Sequence, residues 1–157
     1  MRTSGLRWTM AGSLFLAALA GGAPAAGGTF SAEQQAVVDV VTAAYVDGIH
    51  NFRDAVAIRK GFHPDFEMLI LKDGKLETLP IAQWIERIEA QNIKEPAPTN
   101  GQRATSAAFP TVEVTGSAAV AKVELSRDGK LVFTDYLSLY DFADGWKIVG
   151  KIFYRHP

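Results

Sequence analysis

The sequence has no cysteine, which removes disulfides, thiol catalysis and thiolate metal ligands at once. It also excludes a lipid-modified cysteine near the N-terminus. Histidine is scarce: His50, His63 and His156 lie far apart and show no metal-ligand spacing, so no metal site is expected. No G-x-S-x-G elbow, P-loop or dinucleotide fingerprint occurs, so the sequence implies no cofactor. Charge of one sign is lacking too. Lys and Arg number 16 against 17 Asp and Glu, without a basic cluster, so neither nucleic acid nor an anionic lipid surface is expected as a partner. No internal repeat or domain boundary interrupts the chain.

What is present begins with an N-terminal segment, MRTSGLRWTMAGSLFLAALAGGAPA. Arg2 and Arg7 precede an apolar run through Leu14, Phe15, Leu16 and Leu19, and small residues follow to Ala25. This is the order of a secretory signal, with an apolar run shorter than the about 20 residues a membrane span needs. The expected organisation is a signal peptide over 1–25, cut after Ala25, and one domain over 26–157. The product is then periplasmic or secreted, with no membrane attachment after cleavage. Its 132 residues carry a net charge of −3, and without disulfides they rest on their hydrophobic core alone.

Ser31 and Gln34 form a capping box that opens a helix over about 32–48, with Val37, Val41, Ala44, Tyr45 and Gly48 on one face. Asn51 and Asp54 repeat the start signal, and Arg59-Lys60-Gly61 is the matching stop, Gly61 being tolerant of the left-handed conformation. Phe66–Leu71 and Lys75–Thr78 read as a hairpin turned at Asp73-Gly74. Ile81, Trp84, Ile85 and Ile88 recur at helical spacing, with Pro80 in the first turn, and predict a third helix over about 79–91. A Pro/Gly-rich polar loop fills 92–103.

The rest is strand punctuated by turns: 105–114, 118–126, 131–140 and 146–154. Pro110 argues for an edge position or a bulge in the first of these. The last alternates, with Trp146, Ile148, Gly150, Ile152 and Tyr154 on one side and Lys147, Val149, Lys151, Phe153 and Arg155 on the other. Helices followed by a long antiparallel sheet give an α+β fold. A sheet this long curls as it twists, so three helices laid inside the curl make a cone whose open end can hold a ligand.

The helix carrying AAYVDG, the segment GFHPDFEM leading into a hairpin, and above all TDYLSLYDFADGWKIVGKIFYRHP resemble the nuclear-transport-factor-2-like superfamily, in its lumazine-binding and polyketide-cyclase-like branch. The resemblance runs from about Ala32 to Pro157. It implies the cone fold, with the closing strand central in the sheet. It does not imply one activity, because the fold hosts isomerases, dehydratases, cyclases and binding proteins. Against ketosteroid isomerase, the stretch YVDGIH puts Tyr45 where that family keeps its oxyanion-binding tyrosine. The position of its general base falls at about Ile70, which has no proton chemistry, and its second carboxyl finds no confident counterpart. Without a base, ketosteroid isomerisation is not expected.

Each candidate residue also has a structural reading. Tyr45 on a buried helix face can simply pack and tie its hydroxyl to a neighbour, or serve as electrophile. His63 and Asp65 can pair as base and orienter at the rim of the cone, or make a turn. Trp84, Tyr136, Trp146 and Tyr154 can line an aromatic ligand pocket or pack the sheet. Asp135 and Lys151 can pair across adjacent strands, which makes them pocket candidates if buried. The leading expectation is an exported, cofactor-free protein that holds a small apolar or aromatic molecule in the cone. One alternative is a cofactor-independent lyase or isomerase of the polyketide-cyclase or dehydratase kind, with His63 or Asp65 as base and Tyr45 as electrophile. Another is a structural module that forms a homodimer through the outer sheet face, using residues such as Val149 and Phe153.

Overall fold

A computed structural model describes residues 29–97 and 102–157, so the predicted signal peptide lies outside the described residues. The first helix opens at the Ser31 capping box, where the Ser31 hydroxyl accepts from the Gln34 amide and the Gln34 side chain accepts from the Ser31 N–H. It runs as α1 over Ala32–Val40 and then widens into a π-helix over Val41–Asn51, still hydrogen-bonded five residues apart at its end, from Phe52 N to Asp47 O. The sequence predicts an ordinary helix here. The wider winding is a tertiary outcome, and such segments are frequent at functional sites.

The second start signal belongs to Asp54 alone, whose carboxylate accepts from the Val56 and Ala57 amides and opens α2 over Ala55–Gly61. Asn51 instead ends the π-helix and exchanges hydrogen bonds with the Thr105 backbone. Gly61 also differs from its expected role. Its φ is not left-handed; a Cβ there would lie 2.3 Å from the Ala44 Cβ, so the glycine lets α2 rest directly on the π-helix.

Strands β1 (Phe62–Lys72) and β2 (Lys75–Pro80) form the predicted hairpin, with positive φ at both Asp73 and Gly74. Helix α3 (Ile81–Lys94) buries Ile81, Ile85 and Ile88. Four strands follow: β3 (Thr105–Thr115), β4 (Ala118–Arg127), β5 (Lys130–Phe142) and β6 (Gly145–Arg155). The six strands form one mixed sheet in the order β2-β1-β6-β5-β4-β3, curled but not closed, with the three helices packed on it. β6 is central and pairs parallel to β1 and antiparallel to β5. Pro110 sits on edge strand β3 within a register shift between Ala108 and Thr111, so both expected devices occur together.

One irregularity decides which residues face inward. Ser138 pairs with Gly150 but Leu139 pairs with Ile148, which leaves Val149 as the extra residue of a bulge. Strict alternation sets Ile148 and Lys151 on opposite faces. After the bulge both are buried on the inner face, and Ile152 and Tyr154 are exposed on the outer one. The inner face, with Val123, Leu125, Leu137, Leu139 and Ile148, meets Val37, Val41, Ala44 and Tyr45 of the first helix in one core.

Candidate functional site

The inner face contains a buried polar group where hydrophobic packing would be expected. Asp135 on β5 is 0% exposed, Tyr45 on the π-helix 0% and Lys151 on β6 7%. The Tyr45 hydroxyl donates to Asp135 Oδ2 at 2.8 Å. The Lys151 ammonium lies 2.7 Å from Asp135 Oδ1, off the hydrogen-bonding direction, and donates to the Tyr45 hydroxyl. Asp135 faces Phe153 in register and Leu137 faces Lys151, so the pair is diagonal on neighbouring strands. Burial pushes the Tyr45 phenol well above its usual value, and the Asp135 charge adds to this. Burial lowers Lys151, which Asp135 opposes.

Aromatic rings enclose the group. The Lys151 ammonium lies 4.9 Å from the Phe153 ring centre and 5.5 Å from that of Trp84. Trp84 contacts Tyr45, Phe62 and Phe66, each at 6.3 Å between centroids, so it stands in the interior as a wall beside the polar group. On the other side, the His50 ring meets Tyr45 edge-on at 4.8 Å and lies 6.3 Å from Phe133.

The remaining predicted site residues fall elsewhere. His63 and Asp65 do meet, but at the surface: His63 Nδ1 accepts from the Asp65 amide at 3.1 Å, and the Asp65 side chain is 90% exposed. The His63 ring stacks on Phe142, while its neighbour Phe62 turns inward toward Tyr45. Asp65 therefore lies in solvent and His63 is partly exposed, whereas Tyr45 is fully buried. The Tyr45 proton, moreover, is engaged with Asp135.

Tyr136 and Tyr154 project from the outer face, 50% and 59% exposed, because the residues beside them, Asp135 and Phe153, take the inward positions. Trp146 is half-buried and lines a separate cleft of about 590 Å³ between the first two helices and the β5–β6 turn. Val149 and Phe153, the residues expected on an outer dimer face, are both only half-exposed. Phe153 packs against Phe133, and Val120, Tyr136, Ile152 and Tyr154 are among the exposed apolar residues.

The pairing of Asp135 with Lys151 was legible as a possibility from the strands. His50 was not: five residues from Tyr45, it shares a face with that residue only in the wider helix. Among the described residues no cluster of His, Cys, Asp or Glu could hold a metal, and no helix is long and apolar enough to cross a membrane.

Residues 32–154 match the family described as "Putative lumazine-binding". The chain belongs to that family. Similar solved structures include nuclear-transport-factor-2-like proteins of unknown function. One from Shewanella baltica OS155 is 26% identical with a TM-score of 0.64, covering 83% of this chain and 99% of its own. One from Silicibacter pomeroyi DSS-3 is 22% identical with a TM-score of 0.61, over 78% and 94%. A third, from Methylobacillus flagellatus KT, is 21% identical with a TM-score of 0.60, over 82% and 96%. No curated protein matches the chain.

Proposed function

We propose that this lumazine-binding-family protein is exported and holds a small planar molecule inside the cone, against the Tyr45–Asp135–Lys151 group. The observation that carries the reading is the burial of that group. Charges withdrawn from water often give no more stability than hydrophobic residues of the same volume, so a buried ion pair beside aromatic rings favours a role beyond packing. Trp84 and Phe153 supply flat apolar surfaces, while Lys151 and Tyr45 supply polar atoms, the combination expected of a small-molecule site. The family description supports a small ligand. The charged, apolar and small-residue order of residues 1–25 supports export.

The test is native mass spectrometry of the protein recovered from its own extracytoplasmic fraction. A mass lacking residues 1–25 and an added small molecule that is lost in Lys151→Met are the expected results. An intact N-terminus overturns export, and a bare protein that binds no planar heterocycle on addition overturns the ligand reading.

A second reading rests on a different observation. Glu67, Leu69, Val120, Tyr136 and Ile152 border an outer-face trough of about 620 Å³, and exposed apolar surface of this kind favours association of two copies. A monomeric mass in the same native spectrum, unchanged up to high protein concentration, removes it.

A further inference from the structure

The cleft that Trp146 lines lies apart from the buried polar group, and neither Tyr45, Asp135 nor Lys151 borders it. On one side α1 presents Ala36, Asp39 and Val40 at helical spacing, and α2 faces them with Ala57 and Lys60. Small side chains make the hollow. Gly61 rests on Ala44 and alanines form the helical wall, leaving about 590 Å³, a volume typical of small-molecule sites. The opposite side is Trp146. Its half-buried indole packs against the core, yet among the described residues it makes no ring contact and no hydrogen bond. It therefore offers a flat apolar surface and a free N–H donor.

Four charged side chains border the cleft, and they fall into two kinds. Lys147, only 14% exposed, directs its ammonium to the Lys60 carbonyl at 2.7 Å and to Asp144 Oδ2 at 3.0 Å. That pair is already matched. Asp39 Oδ1 accepts from the Gln35 side-chain amide at 2.8 Å, but among the described residues neither Asp39 nor the Lys60 ammonium has a salt-bridge partner, and they do not pair with each other. A lone exposed charge is ordinarily just solvated. Here an unmatched anion and an unmatched cation border one apolar hollow, which is complementary to a molecule carrying both charges and an apolar body.

We propose that this cleft binds a zwitterionic α-amino acid with an apolar side chain. Its ammonium lies toward Asp39, its carboxylate toward Lys60, and its side chain against Trp146 and the alanine wall. A plain acid leaves Asp39 unmatched and a plain amine leaves Lys60 unmatched, so only the zwitterion answers both. The site is distinct from the interior and does not rest on the interior-binding reading.

Three probes with one side chain test this in the full chain at low ionic strength: L-leucine, isocaproate, which lacks the ammonium, and isoamylamine, which lacks the carboxylate. The readout is the Trp146 indole N–H signal in proton–nitrogen NMR spectra, assigned by its loss in Trp146→Phe. Leucine is expected to bind more tightly than either analogue by about two- to fivefold, the scale of one exposed ion pair. Lys60→Gln should bring leucine to the level of the amine, and Asp39→Asn to the level of the acid. Both side chains are exposed, so the remaining signals should stay in place. Equal binding of the three probes, leucine binding that both variants leave unchanged, or a Trp146 signal that no probe moves overturns the proposal. None of these outcomes bears on the interior-binding reading, whose test is the native mass.

Discussion

Each face of the one sheet carries exceptions to the usual assignment of residues. The inner face buries an aspartate and a lysine against the Tyr45 hydroxyl of the π-helix, while the outer face exposes Val120, Tyr136, Ile152 and Tyr154. Neighbouring residues carry the contrast, for Asp135 is fully buried beside half-exposed Tyr136. The difference shows that hydrophobicity alone did not decide which way these strands face. Leu137, Leu139 and Ile148 set the parity of β5 and β6, the Val149 bulge resets it once, and the polar residues are carried inward with their neighbours. Once inside, the two charges pair at 2.7 Å and the Tyr45 hydroxyl bridges them.

The sharpest way to break this comparison is to remove one member of the inner pair. Lys151→Met or Asp135→Leu alone leaves an uncompensated buried charge and should cost about 3–5 kcal/mol, whereas the double variant should recover most of that loss. Urea denaturation at neutral pH measures all three. Singles that cost less than about 1 kcal/mol would show that water reaches the pair.

Tyr45→Phe removes the donor to Asp135 Oδ2 and the acceptor for Lys151. A loss of about 1–3 kcal/mol is expected, smaller than for either charge.

The third test uses pH. His50 is held neutral in the folded protein down to about 3, against about 6.5 in the unfolded chain. The unfolded state therefore binds the extra proton first as acid is added. The His50 contribution is fully present above about 6.5 and is lost as pH falls toward 3, with a slope of at most about 1.4 kcal/mol per pH unit. Denaturation midpoints across that window should flatten in His50→Gln relative to the wild-type protein.

The smallest effect on stability belongs to the outer face. Tyr136→Thr should change the folding free energy by no more than about 0.5 kcal/mol, because the side chain is half exposed. If two copies meet there, the same substitution should lower the mass seen by light scattering. A large stability loss without a mass change would mean that the face is covered within the single chain.

Much of this architecture is legible in the residues. The Ser31 capping box, the Asp73-Gly74 hairpin, the Ile81, Ile85 and Ile88 stripe and the edge position of Pro110 all follow from local chemistry, and each appears as expected. The candidate site was legible only in part. Asp135 and Lys151 are readable as partners because adjacent strands bring them near. Simple alternation, however, puts Phe153 and Tyr154 on the wrong faces, since nothing local in IVGKIF announces that Val149 is the extra residue. His63 and Asp65 form a plausible pair in sequence and do pair in space. Phe62 takes the inward position against Tyr45 at the start of β1, and His63 stacks on Phe142 instead.

By itself the sequence determined the elements, their order and their caps, because propensity, hydrophobic period and turn chemistry act over a few residues. Only the tertiary structure decided which polar side chains meet. The Val149 bulge exists through pairing with β5, and the π-winding that sets His50 against Tyr45 accompanies the close rest of Gly61 on Ala44. Both are one-residue changes of register, and their stability comes from contacts between segments far apart in the chain.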